Sequence, residues 1–183
     1  MRTNAPQIKP LEVEVQPGEI VGNEQVIRLR LRWGTNEFML MLPPGARSET
    51  TSAGTLNIAD PKGSYRIELR LLTADATEDL PKQLQRLKTT VLAAHPKASG
   101  TEEFTVNVGR AALGLQLSDT MPPFGERWYR VIWAPCAAGI LEFSLNATAG
   151  QGRAAVQTLD TLLVTLRTNE KGKLEITRRL ERS

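Results

Sequence analysis

The sequence predicts an α+β domain built on antiparallel strands, and three observations carry that prediction. Alternation of apolar and polar residues at period two dominates the chain, which marks half-buried strands. Short stretches rich in Gly, Pro, Asn and Asp separate the alternating runs, so successive strands join as hairpins. Two segments only switch to a helical period, and they do not alternate with single strands, which excludes a doubly wound α/β sheet.

Each element follows from its residues. In "LEVEV", Leu11, Val13 and Val15 share one face, and "QPG" is expected to break the strand. "VIRLRLRWG" alternates Ile27, Leu29, Leu31 and Trp33 with Arg28, Arg30 and Arg32. "GTNE" then turns the chain into "FMLML", where Phe38, Leu40 and Leu42 take the apolar side. Pro43 and Pro44 cannot continue a ladder and end that strand. "TLNIADPKG" is a short strand entering a turn, and "SYRIELRLL" sets Ile67, Leu69 and Leu71 against Arg66, Glu68 and Arg70.

The period then changes. Leu80, Leu84, Leu87 and Val91 repeat at helical spacing, with Thr77 or Asp79 as the cap, Pro81 tolerated in the first turn and Pro96 as the stop. "FTVNV" and "ALGLQL" form a hairpin, and "RWYRVIWAP" with "GILEFSLNA" forms another around "CAAG". A second helix places Ala155, Leu159, Leu162 and Leu166 on one stripe. "LEITRRLERS" closes the chain as a strand or arm.

The 183 residues fit one domain with an arm. Residues 1–25 read as an arm or spacer containing a strand, and 26–183 as a single domain. A composition of 40% hydrophobic and 23% charged residues is too apolar for disorder. A net charge of +3 does not by itself imply a nucleic-acid partner. No apolar run reaches the roughly 20 residues of a membrane helix. The start, "MRTNAPQIKP", has no apolar core of a signal peptide and resembles the polar spacer that follows a removed leader or lipid anchor.

Taken in this order, several pieces resemble the PsbP-like fold family. They are "FMLMLPPGAR", "LNIADPKGSYRIELRLL", the first helix, "FTVNVGRAALGLQL", "YRVIWAPCAAGILEFSLNA" and "TLDTLLVTLR", roughly residues 26–168. The resemblance implies a central antiparallel sheet flanked by helices, an α-β-α sandwich. That family includes the extrinsic P subunit of photosystem II, a Ran-binding import factor and bacterial lipoproteins. It implies protein or ligand binding and no shared catalytic set.

Side chains capable of chemistry are sparse. His95 and Cys136 are the sole histidine and cysteine and lie too far apart in sequence for a recognisable zinc motif. His95, at a helix end, complements the dipole and the last carbonyls. Cys136, among small apolar residues, reads as a buried thiol rather than a nucleophile. Asp75, Glu78 and Asp79 suit a helix start, and "DPKG" lacks the alternating oxygen ligands of a calcium loop. "TAGQGRAAV" puts Arg153 at a helix N-terminus, an anion site or an ordinary loop, without the Lys-Ser/Thr of a nucleotide loop.

The candidate interaction face is therefore Arg28, Arg30 and Arg32 together with Arg66, Glu68 and Arg70. If the two strands are neighbours, Glu68 sits among arginines in a cross-strand ladder. The alternatives are a solvated face and a cationic platform for an acidic protein or lipid headgroup; nucleic acid is not expected without aromatic platforms. The expectation is a non-enzymatic, protein-binding accessory domain of the bacterial envelope, without catalytic, cofactor or metal residues. The alternatives are a cytoplasmic chaperone or adaptor, a hydrolase using His95 and Cys136, and a nucleic-acid binder.

Overall fold

A computed structural model describes residues 10–21, 23–107, 111–121, 125–170 and 173–176. Two antiparallel sheets stand where the sequence suggested one. The first has five strands in the order β1 (Glu12–Val21), β2 (Glu24–Trp33), β3 (Asn36–Leu42), β11 (Arg167–Glu170) and β12 (Lys173–Ile176). The second has seven. Its first three are β4 (Arg47–Thr50), β5 (Leu56–Ala59) and β6 (Tyr65–Leu72). Then come β10 (Gly139–Thr148), β9 (Gly125–Cys136), β8 (Ala111–Met121) and β7 (Ser99–Asn107). Helix α1 spans Leu80–Ala94 and α2 spans Gly152–Thr165, the latter entered through a 3-10 turn, Ala149–Gln151.

The alternation of the strands of the second sheet builds two cores, one on each face. Ile132, Ala134, Phe143 and Leu145 point to one side, where they meet Leu29, Leu31, Trp33, Phe38, Leu40 and Leu42 of the five-stranded sheet and Ala155, Leu159 and Leu162 of α2. Val131 and Trp133 point to the other side, with Leu115, Leu117 and Ile140, under Leu84, Leu87 and Val91 of α1. Helix α1 packs on one face, and α2 packs on the other together with the five-stranded sheet. The layer holding α2 is shared with a second sheet, which is the correction. Each apolar side chain fully buried in these cores contributes on the order of 1.5–3 kcal/mol, and Trp33 and Phe38 add an edge-to-face contact at 5.4 Å.

The hairpins fall where their turn residues placed them. Gly34, with φ of +62°, makes the tight link between β2 and β3, a conformation that costs glycine nothing. Asp79 caps α1 by accepting from the Lys82 N–H at 2.9 Å, and Pro81 sits in the first turn. The expected break at "QPG" does not occur. Strand β1 runs through Pro17 and Gly18 with a register shift between Pro17 and Ile20. A Cβ on Gly18 would lie 2.3 Å from the Val26 carbonyl oxygen, so only glycine allows the strand to pass. Strand β4 also appears where a loop was expected after Pro43 and Pro44, and pairs with β5.

Candidate functional site

The arginine comb lies on the face of the five-stranded sheet that points away from the core, and carboxylates stand among its guanidiniums. Glu14 stands opposite Arg30 and Glu12 opposite Arg32 on β1, while Glu37 stands opposite Arg32 on β3. Arg30 donates through Nη2 to both Glu37 oxygens, at 2.8 and 2.9 Å, and its Nη1 is 3.5 Å from Glu14. Arg32 reaches Glu37 at 3.2 Å and Glu12 at 3.4 Å. The Arg30 hydrogen bond holds the Glu37 carboxyl below the usual carboxylate range. Two guanidiniums, Arg30 and Arg32, thus meet three carboxylates, Glu12, Glu14 and Glu37. Arg28, flanked by Gln16 and Met41, has no carboxylate partner among the described residues.

The expected ladder between this comb and "YRIELRLL" does not exist. Arg66, Glu68 and Arg70 lie on β6, in the other sheet, so Glu68 cannot pair with Arg28, Arg30 or Arg32. Period two fixes which residues share a face and leaves the neighbouring strand undetermined. Glu68 stands between Asn57 and Ser144, and Arg66 between Ala59 and Asn146. Arg70 instead binds Glu142, a carboxylate that is 3% exposed. Trp133 donates its Nε1–H to the second Glu142 oxygen at 2.8 Å, and Ser144 donates to the first at 3.2 Å. This network was not legible from the sequence, which singles out no residue of "GILEFSLNA".

His95 and Cys136 lie on opposite faces of the seven-stranded sheet. His95 is the C-cap residue of α1. Its Nδ1 is 2.9 Å from Asp119 Oδ2, and its ring sits 4.9 Å from that of Tyr129 on the α1 side. Cys136 packs against the core on the α2 side. The sheet between them rules out a Cys-His nucleophile pair. Among the described residues, no three His, Cys, Asp or Glu side chains gather to hold a metal. The acidic residues of "DATED" serve the backbone: Asp75 accepts from the Thr77 N–H and hydroxyl, and Asp79 caps the helix. In "DPKG", Asp60 accepts from the Ser64 and Tyr65 N–H groups and so closes the turn.

A groove of about 690 Å³ opens beside α2, over the ends of β8 and β9. Along β9, the face that is apolar at Ile132 and Ala134 becomes Glu126, Trp128 and Arg130, and β8 adds Gln116 and Ser118. Helix α2 forms the wall with Arg153, Gln157 and Asp160. Gly152, at the start of α2, lies against Trp128, where even an added Cβ would sit in ordinary contact 3.7 Å from the indole. The Arg130 guanidinium lies over the Phe104 ring, 4.1 Å from its centroid, a cation–π contact. Its Nε is buried without a hydrogen-bond acceptor among the described residues, and burial pushes its pKa down. The sequence marked only Arg153 of this set. The signal that could have found the rest is the polar replacement at Glu126, Trp128 and Arg130 on an otherwise apolar face.

No family model and no curated protein matches the chain. The solved structures similar to this chain include two of named proteins. One is the solution structure of cyanobacterial PsbP (CyanoP) from Synechocystis sp. PCC 6803. Its TM-score is 0.50 at 11% identity, over 70% of this chain and 85% of that one. The other is the crystal structure of LpqN of Mycobacterium tuberculosis, described as involved in cell envelope biogenesis. Its TM-score is 0.52 at 18% identity, over 84% of this chain and 99% of that one.

Proposed function

We propose that this chain, which has the PsbP-like fold, is a non-enzymatic accessory module of a bacterial cell envelope that works by binding another protein. The observation that carries the reading is the placement of the reactive side chains. His95 is committed to Asp119 beneath α1, Cys136 packs on the far side of the sheet, and the groove beside α2 is lined by neither. What the fold offers instead is surface. The compartment is supported by the likeness to LpqN, a protein of envelope biogenesis. No helix among the described residues is long and apolar enough to cross a membrane.

Within this reading the candidate interaction face divides in two. Arg28 is the cation of the outer comb that a carboxylate on a partner would meet, since Arg30 and Arg32 already face Glu12, Glu14 and Glu37. Arg66 and Glu68, on the other sheet, offer a mixed-charge patch beside the Arg70–Glu142 pair.

A second reading, a cytoplasmic chaperone or adaptor that holds apolar client segments, is favoured by one feature. Val15, Ile20 and Ile27 are 62%, 73% and 37% exposed on the β1–β2 hairpin, an apolar surface of the kind that marks interaction sites.

Photo-crosslinking in cells producing the full natural protein separates these readings. Crosslinkers at Arg28, Arg66, Ile20 and Gln157 are expected to trap a different protein in the envelope fraction. Capture confined to the cytosol through Ile20 favours the second reading. A hydrolytic turnover abolished by Cys136→Ala or His95→Ala overturns both.

A further inference from the structure

The groove beside α2 combines an aromatic floor with balanced charge. Its lining holds two cations, Arg130 and Arg153, and two anions, Glu126 and Asp160. Phosphate and nucleic acids require a surplus of positive charge at their site, and this site has none. Arg130 is further held from acting as a simple anion grip by its stacking on Phe104 and by the attraction of Asp160 and Glu102.

The remaining lining fits a ligand that carries hydrogen-bond donors and acceptors in equal number. Gln116 and Gln157 face the groove from the sheet and the helix, and each side-chain amide both donates and accepts. A peptide backbone has the same property, one N–H and one C=O per residue. Arg130 also lines the groove, and its guanidinium only donates, so a carbonyl oxygen is a partner it can take. Trp128, partly buried between the sheet and Gly152, presents indole surface for an apolar side chain. From Glu126 to Arg130 the β9 floor is about 13 Å long at the rise of a strand, which suits about four extended residues. The volume is in the range of ligand sites.

We infer that this groove binds an uncharged, extended segment of a partner protein, with an apolar side chain on Trp128 and its backbone amides on Gln116, Gln157 and Arg130. The inference rests on the protein-binding reading and names the site at which that binding occurs. Because charges balance, affinity depends little on salt, in contrast to binding through an arginine face.

The test is a selection of random twelve-residue peptides displayed on phage against the intact chain, followed by titration of the winning synthetic peptides. Trp33 and Trp133 are fully buried, so a fluorescence change on titration of the parent reports Trp128, while calorimetry measures the affinities of parent and variants alike. The expected winners are near neutral, carry one large apolar residue, and change affinity less than about twofold between low and high salt. Affinity is expected to fall at least about tenfold in Trp128→Ala and in Gln157→Trp. Gln157 is exposed, so the second variant fills the groove from outside the core. Several outcomes overturn the inference: no enriched peptide, winners that bind both variants normally, acidic winners with a steep salt dependence, or displacement by inorganic phosphate. A crosslinked partner trapped through Arg28 or Arg66 alone also sinks the groove while leaving the protein-binding function standing.

Discussion

Arg70 donates Nε and Nη2 to one and the same oxygen of Glu142, at 2.7 and 2.6 Å, and so neutralises a carboxylate almost fully removed from water. The pair joins β6 to β10 at the boundary between the open half of the sheet and the half under α1. Removing one partner of a buried pair leaves an uncompensated charge. Arg70→Met is therefore expected to destabilise the fold by about 3 kcal/mol, the low end of the range for buried pairs because Arg70 keeps contact with water. Glu142→Gln, which keeps hydrogen-bonding capacity toward Trp133, is expected to cost less. Urea unfolding of the two variants gives the comparison.

The sole histidine sets an acid-side dependence. Its hydrogen bond, before any other influence, holds the Asp119 carboxyl below the usual carboxylate range, with the Thr120 N–H and the charge of Lys97 acting in the same direction. A carboxylate with a lowered folded pKa stabilises the native state above its unfolded pKa, near 4, and loses that contribution as pH falls through the lower folded value. Thermal melts of the parent from pH 6 down to pH 2 should show this loss, and Asp119→Asn should flatten it. His95→Gln should flatten it in part, because the Lys97 and backbone influences remain. An Asp119→Asn profile parallel to that of the parent contradicts the assignment.

The outer comb predicts an asymmetry among three arginines of one strand. Arg30→Ser and Arg32→Ser strand carboxylates at Glu37, Glu14 and Glu12, whereas Arg28→Ser strands none among the described residues. Pairs this exposed contribute little and are screened by salt. A small melting-temperature loss at low salt is expected for Arg30→Ser and Arg32→Ser, shrinking in high salt, with Arg28→Ser indistinguishable from the parent. Equal losses for all three would mean that the arginines act as one unit.

Gly114 ties the core to the groove. A Cβ there would lie 2.2 to 2.5 Å from the Phe104 ring, the ring on which Arg130 stacks. Gly114→Ala is expected to displace Phe104 and cost about 1–3 kcal/mol, the usual penalty of overpacking. The same change in a Phe104→Leu background should cost less. Additive losses would show that the two sites are not coupled.

The parts of this fold legible in the sequence are those that depend on local chemistry. Both helices, the tight link at Gly34, the turn held by Asp60 and the hairpin around "CAAG" follow from caps, turn residues and periodicity. Strand partnership does not. The alternation of Arg28, Arg30 and Arg32 was visible, and so was that of Glu12 and Glu14 in "LEVEV", yet only the register of β1 on β2 brings them opposite one another. The same limit joined "VIRLRLRWG" to "YRIELRLL" across what proved to be two sheets. Arg153 was the one groove residue singled out from the sequence. Trp128 and Arg130 become a site only because α2 packs beside them and sets Arg153, Gln157 and Asp160 along the β9 floor.

Strand β9 carries a groove and a core on one face, and the pleat constrains how such a surface can change over generations. Inserting a single residue before Ile132 would turn Glu126, Trp128 and Arg130 toward α1 and bring Arg127 and Tyr129 into the groove, exchanging the wet and dry sides at a stroke. Insertions or deletions of two residues leave each side chain on its own face and merely slide the boundary along the strand. The binding surface can therefore lengthen or shorten in pairs of residues, and homologous chains with grooves of different reach should differ in β8 and β9 by even numbers.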